Sequence, residues 1–286
     1  MIEGVSVPES PLEVLIPQRH EGNRFRATAP CPPAQSRVFG GNLIALMVNA
    51  ASAVHPGRVL RSAQAHFLAP VAPEEELELA VHTVRAGRRS ATVAVDVTGG
   101  RSRAVTAMLN LGAEEESDGL MAETIGRGVT IDDPADHRAD VPLELDTSSI
   151  DQWFSFKRAH GETDHPMWVR AKAPVNRESA VVPEAILAAL TDIGLVRVAW
   201  LAARPTEAAH SLPAGTSAQH SVWIHSATIP DDWLLLRAAA FAGNPHRVLV
   251  RATLEARAGD LLATAVQEVR LRTSLNSTTG IDPSAG

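Results

Sequence analysis

Asp192 is the residue of this sequence most suggestive of chemistry, an acid set among alanines and leucines in the stretch PEAILAALTDIGLVRVAW. The spacing predicts a helix over Pro183 to Trp200, with Ile186, Leu190, Ile193 and Arg197 on one row and Ala185, Ala188, Ala189 and Asp192 on the next. A carboxylate in such a stripe is costly to desolvate unless it is hydrogen-bonded, so its presence needs a reason. The competing reading is a helix edge where Asp192 meets water. Other chemistries are poorly supplied. A serine hydrolase needs a G-x-S-x-G pentapeptide, and none occurs. Cys31 precedes Pro32 and Pro33 with no nucleophile motif around it and reads as structural. His220 and His225 lie an odd number of residues apart on a predicted strand, so they point to opposite faces and do not share a metal.

The rest of the chain bounds what Asp192 can serve. With 286 residues, 45% of them hydrophobic, there is enough apolar surface for one large core or two ordinary ones. No run approaches the roughly 18 uninterrupted apolar residues of a membrane span, and the start carries no basic-then-apolar leader, so cytoplasmic residence is the expectation. A single cysteine rules out an internal disulfide. The net charge of −7 disfavours nucleic acid as a partner. Among the 26 basic side chains only Lys157 and Lys172 are lysine. Arginine suits bidentate phosphate contacts, although a coding bias toward arginine explains the same count.

Two runs of elements must position the acid, and they follow the same order. A strand over Asn23 to Thr28 precedes a helix opened by Phe39-Gly40-Gly41-Asn42 and stopped before His55-Pro56-Gly57. Strands follow at Leu60 to Leu68, Glu76 to Arg85, Ser90 to Thr98 and Ala104 to Leu111. Residues 116–146 read as an acidic, polar linker. Beyond it come strands at Phe154 to Arg158 and Trp168 to Ala173, the Pro183 helix, and strands at Gln219 to Ser226, Leu234 to Phe241, Val248 to Arg257 and Leu261 to Arg272. Aligning the helices puts Asn49 opposite Asp192, and shifting the first half by about 158 residues sets Phe67 against His225 and the neighbourhood of Leu109 against Gln267. The expectation is an α+β protein of two tandem repeats, each with a long antiparallel sheet around one apolar helix: domains over 1–115 and 147–274, with a tail from 275.

The segments VFGGN at Val38, HFLAP at His66, HSVWIH at His220, DDWLL at Asp231 and TAVQE at Thr264 resemble the acyl-CoA thioesterase II family, the double hot-dog thioesterases. The resemblance covers nearly the whole chain. It implies a hydrolase acting on fatty acyl-CoA with no cofactor and no metal, and association into a homo-oligomer, dimer or higher. It also implies that Asp192, a hydroxyl residue and Gln267 hold the attacking water. The hydroxyl maps onto Ser217, where the family usually has threonine, with Thr216 adjacent. A thioester needs no covalent nucleophile, so a positioned water and a base suffice. Gly40 and Gly41 would let the thioester approach amides at the helix start that could hold the oxyanion, or they form a tight turn that only glycine fits. Since Asn49 and Leu109 cannot supply base and amide together, one competent site per chain is expected.

Two alternatives stay open from sequence. One is a binding protein for acyl-CoA or acyl lipids that kept the fold without turnover. The other is a hot-dog enoyl-CoA hydratase, whose D-x-N-P-x-H pattern is echoed by Asn244-Pro245-His246. Ala242 and Arg247 stand where its acid and base belong, so the tripeptide reads better as a turn.

Overall fold

Ser90–Gly99 alternates strictly between buried and partly exposed residues, the signature of a strand with one face on a core. That pattern recurs through a twelve-stranded antiparallel sheet with order β1-β2-β4-β5-β6-β3-β9-β12-β11-β10-β8-β7. The computed structural model describes residues 10–31, 38–100, 102–113, 153–158, 165–203, 215–229 and 232–272. The predicted linker and tail lie outside these. The strands of the first half are β1 (Gln18–Glu21), β2 (Arg24–Thr28), β3 (Arg58–Phe67), β4 (Glu76–Ala86), β5 (Ser90–Gly99) and β6 (Ser102–Ala113). Those of the second are β7 (Phe154–Arg158), β8 (Met167–Ala171), β9 (Gly215–Ile224), β10 (Leu234–Asn244), β11 (Arg247–Ala256) and β12 (Leu261–Leu271). Strand β1 and a 3-10 turn at Glu13–Leu15 occupy the proline-rich lead-in ahead of β2.

The two halves share one sheet because β3 pairs with β9, from Ser62 opposite Trp223 to His66 opposite Gln219. The pairing is nearly symmetric about Gln64 and Ser221. Helix α1 (Gly40–Val54) is buried continuously from Gly41 to Ala51, since it packs on the sheet with one side and on α2 with the other.

The predicted helix over Pro183 to Trp200 is in fact two: α2 (Pro183–Leu190) and α3 (Leu195–Ala203). The break has a local cause. Gly194 takes φ +75°, a conformation that costs glycine little, and the preceding amides tighten, with Asp192 N–H bonding Ala189 O and Ile193 N–H bonding Leu190 O. The Ala188 carbonyl lies 2.8 Å from the Thr191 hydroxyl. Apolar periodicity runs straight through the break, so it could not be read from the pattern. Helix α2 packs chiefly on α1, whereas α3 lies over β9 to β12. Pro183–Ala203 is long and apolar enough to cross a bilayer by length and composition, yet 72% of its most apolar window is buried inside this fold.

Candidate active site

The break places Asp192 in a turn instead of on the predicted alanine row, and there it faces the start of α1. Asp192 is 5% exposed, and its carboxylate accepts a hydrogen bond from the Gly41 amide. A Cβ on Gly40 would stand 2.8 Å from Asp192 Oδ2 and 3.0 Å from the Phe67 ring; a Cβ on Gly41 would stand 2.7 Å from Ala189 O and would overlap the Phe39 ring. Both glycines are therefore required by close approach of the two helices and the carboxylate. The amide that sequence reasoning offered to an oxyanion holds the acid in this structure.

Gly40→Ala should displace the Asp192 carboxylate and lower kcat/KM by at least about tenfold, since misplacing a reacting group by about 1 Å costs on the order of 10² in rate. Gly41→Ala meets backbone and should instead appear mainly as a lower melting temperature, overpacking costing about 1–3 kcal/mol. Steady-state kinetics and thermal melts of the two variants separate these effects.

Gln267 on β12 and His220 on β9 are directly opposed in the ladder, and both are fully buried. Gln267 Nε2 donates to Ser217 Oγ at 3.0 Å, and Gln267 Oε1 lies 2.7 Å from His220 Nδ1. Ser217 precedes His220 by three residues, an odd number that an even strand would send to the opposite face. A register shift between Ser217 and Gln219 solves this: Ala218 is the extra residue of a β-bulge, and the bulge re-aims Ser217 toward Gln267. The three residues carried over by resemblance thus converge.

Burial pushes the Asp192 carboxyl up to about 7, while hydrogen bonding from Gln267, the Gly41 amide and Ser217 pulls it the other way. Asp192 Oδ1 is buried and makes no hydrogen bond among the described residues. A buried carboxylate with one oxygen uncommitted, beside an amide and a hydroxyl, is poised to accept a proton near neutral pH.

His220 joins the site without having been singled out for it. Its Nδ1 lies 3.9 Å from Asp192 Oδ1 and its Nε2 lies 3.0 Å from the Thr191 hydroxyl, in a ring whose pKa burial lowers to about 4. The signal available in sequence was its place in the HSVWIH strand.

The matching location in the first half carries a different set. Ladder register puts Ala63 opposite Leu109 where the second half has His220 opposite Gln267. Asn49 stands for Asp192, and its Oδ1 accepts the Val182 N–H at 3.1 Å while its Nδ2 donates to Leu15 O at 2.9 Å. Each half's first helix therefore begins at an amide donated to the other half, Gly41 to Asp192 and Val182 to Asn49. One of these pairs holds a buried acid with one oxygen free of hydrogen bonds among the described residues, the other an amide with both ends bonded. The Asn244-Pro245-His246 tripeptide forms the β10–β11 turn, with Asn244 Oδ1 accepting the His246 and Arg247 amides.

The chain matches the family model described as acyl-CoA thioesterase N-terminal domain over residues 27–112 and the one described as acyl-CoA thioesterase C-terminal domain over residues 126–271. It is 24% identical over 259 residues to Acyl-CoA thioesterase 2 of Haemophilus influenzae, covering 83% of this chain and 88% of that one. A solved tesB protein from Mycobacterium avium subs paratuberculosis superimposes with a TM-score of 0.75 at 22% identity, covering 92% of this chain and 98% of its own. A protein with the hot-dog fold from Alicyclobacillus acidocaldarius does so at 0.71 and 22%, covering 93% and 99%. These likenesses establish the double hot-dog fold.

Proposed function

The chain belongs to the acyl-CoA thioesterase family, whose reaction is hydrolysis of the acyl-CoA thioester, and from that premise we propose that Asp192, Gln267 and Ser217 perform it through one water. The observation that carries the reading is the convergence of a buried carboxylate having one uncommitted oxygen with an amide and a hydroxyl in hydrogen-bonding contact.

The water oxygen forms the new bond to the thioester carbon as Asp192 takes its proton. The carbon–sulfur bond then breaks, and the proton returns to the departing thiolate. That return is downhill, because a thiol holds its proton with a pKa of about 8.5 and Asp192 titrates at about 7. Gln267 and Ser217, each able to donate and accept, orient the water. The reading gives the developing oxyanion to the Gly40–Gly41 start of α1, where Asp192 must release the Gly41 amide to make it available. Fatty acyl chains as the physiological substrate, cytoplasmic residence and association into homo-oligomers belong to the same proposal.

The test is release of free thiol from a panel of acyl-CoAs of graded length. Turnover that disappears in Asp192→Ala is the expected result. Tight acyl-CoA binding with no thiol release from any panel member would return the chain to the binding-protein reading.

A further inference from the structure

Gln267 can help Asp192 only one way round. With Nε2 toward Ser217 and the carboxylate, the amide donates and favours the ionised base; turned over, it would present Oε1 to that base and oppose it. Oxygen and nitrogen of an amide have the same shape, so the direction must be set by whatever faces Oε1. That group is His220 Nδ1, at 2.7 Å.

Which ring nitrogen carries the hydrogen is set by the partner of the other nitrogen. Here that partner is the fully buried Thr191 hydroxyl, 3.0 Å from Nε2. The hydroxyl has one hydrogen and two acceptors, His220 Nε2 and the Ala188 carbonyl. Gln267 Oε1 can only accept, so its 2.7 Å contact calls for the hydrogen on Nδ1; a neutral ring then takes the Thr191 hydrogen at Nε2 in place of the Ala188 carbonyl.

We propose that His220 is a positioning residue whose Nδ1–H fixes the direction in which the Gln267 amide stands. The inference rests on the role of Gln267 given above. The asymmetry of the duplication supports it, since the half without an acid lacks both this histidine and the glutamine, Ala63 and Leu109 standing in their places. The ring works as a neutral group. Burial disfavours its cation, and the ionisable group facing it among the described residues is Asp192, at 3.9 Å. Thr191 from the turn, Gln267 from β12 and Ala65 from the paired strand β3 bring no charge.

His220→Leu should lower kcat by about 10- to 100-fold with little change in KM, as expected for loss of orientation without loss of substrate contact. It should also move the rising limb of the kcat/KM–pH profile upward, because the freed amide no longer steadies the Asp192 anion. His220→Asn, whose amide nitrogen reaches the Nδ1 position, should recover at least tenfold over His220→Leu and restore the limb; His220→Gln, reaching the Nε2 position, should recover less. In a Gln267→Ala background His220→Leu should cost nothing further. Nitrogen-15 NMR of the wild-type ring should show a neutral imidazole protonated at Nδ1 between pH 6 and 8.

Protonation at Nε2, equal rates for the Leu, Asn and Gln variants, or multiplicative losses with Gln267→Ala would each overturn the proposal. If His220→Leu does not fold, the Asn–Gln comparison and the NMR tautomer decide alone. An inactive Asp192→Asn beside a dispensable His220 removes this inference only, whereas an active Asp192→Asn removes the functional reading beneath it.

Discussion

Asp192→Asn should lower kcat/KM by about 10²–10⁴, the usual range for general-base catalysis, and should at the same time stabilise the folded protein above pH 7. The activity follows from the need for an ionised base. With Asp192 pushed up to about 7, kcat/KM of the wild type should rise through pH 7 to a plateau. The stability follows from the same burial. A carboxyl whose folded pKa lies above its unfolded value of about 3.9 contributes stability at low pH that is lost as pH rises toward 7. Holding the anion buried thus costs on the order of 4 kcal/mol at most above pH 7, and a neutral asparagine relieves it. Thermal melts at pH 5 and pH 8 check the sign: the variant should gain on the wild type as pH rises. Ser217→Ala and Gln267→Ala should be milder. On the proposed reading the three side chains share one water, and the triple alanine variant should then be little worse than Asp192→Ala. Ser217→Thr keeps the hydroxyl and should stay active. Full activity in Ser217→Ala would remove the hydroxyl from the mechanism, and multiplicative losses would mean that no water is shared.

Asn49→Ala should do the reverse, sparing turnover per folded molecule while lowering stability by about 2–4 kcal/mol, since it strands the buried Leu15 carbonyl and the Val182 amide. Asn49→Asp is the more telling change. Its carboxylate would turn an acceptor toward the Leu15 carbonyl, so stability should be poor at pH 8 and partly restored at pH 5, where the protonated acid can donate. No second active site should result, because Ala63 and Leu109 supply neither imidazole nor amide. Melts at the two pH values, with kcat normalised to folded protein, give the answer. Turnover lost in Asn49→Ala to the extent seen in Asp192→Ala would refute the division of labour between the halves.

Much of this protein is legible in its order of residues. Duplication shows in the repeated helix-then-strands order and in Asn49 opposite Asp192, because a repeat leaves its mark in spacing. Alternation along segments such as Ser90 to Thr98 places the strands within a few residues, since a half-buried strand must expose every second side chain. An acid among alanines draws attention to Asp192, because a desolvated carboxylate needs partners. Resemblance supplied Ser217 and Gln267, which no spacing rule singles out. Tertiary structure decided the rest. The break at Gly194 turns Asp192 from a helix row to the Gly41 amide, and the bulge at Ala218 selects Ser217 over Thr216 as the hydroxyl facing Gln267. Neither irregularity disturbs the hydrophobic pattern, so periodicity passes over both. His220 belongs to the site by virtue of a cross-strand pairing with Gln267, 47 residues away in sequence, and through-space neighbours of that kind are fixed only when the ladder closes.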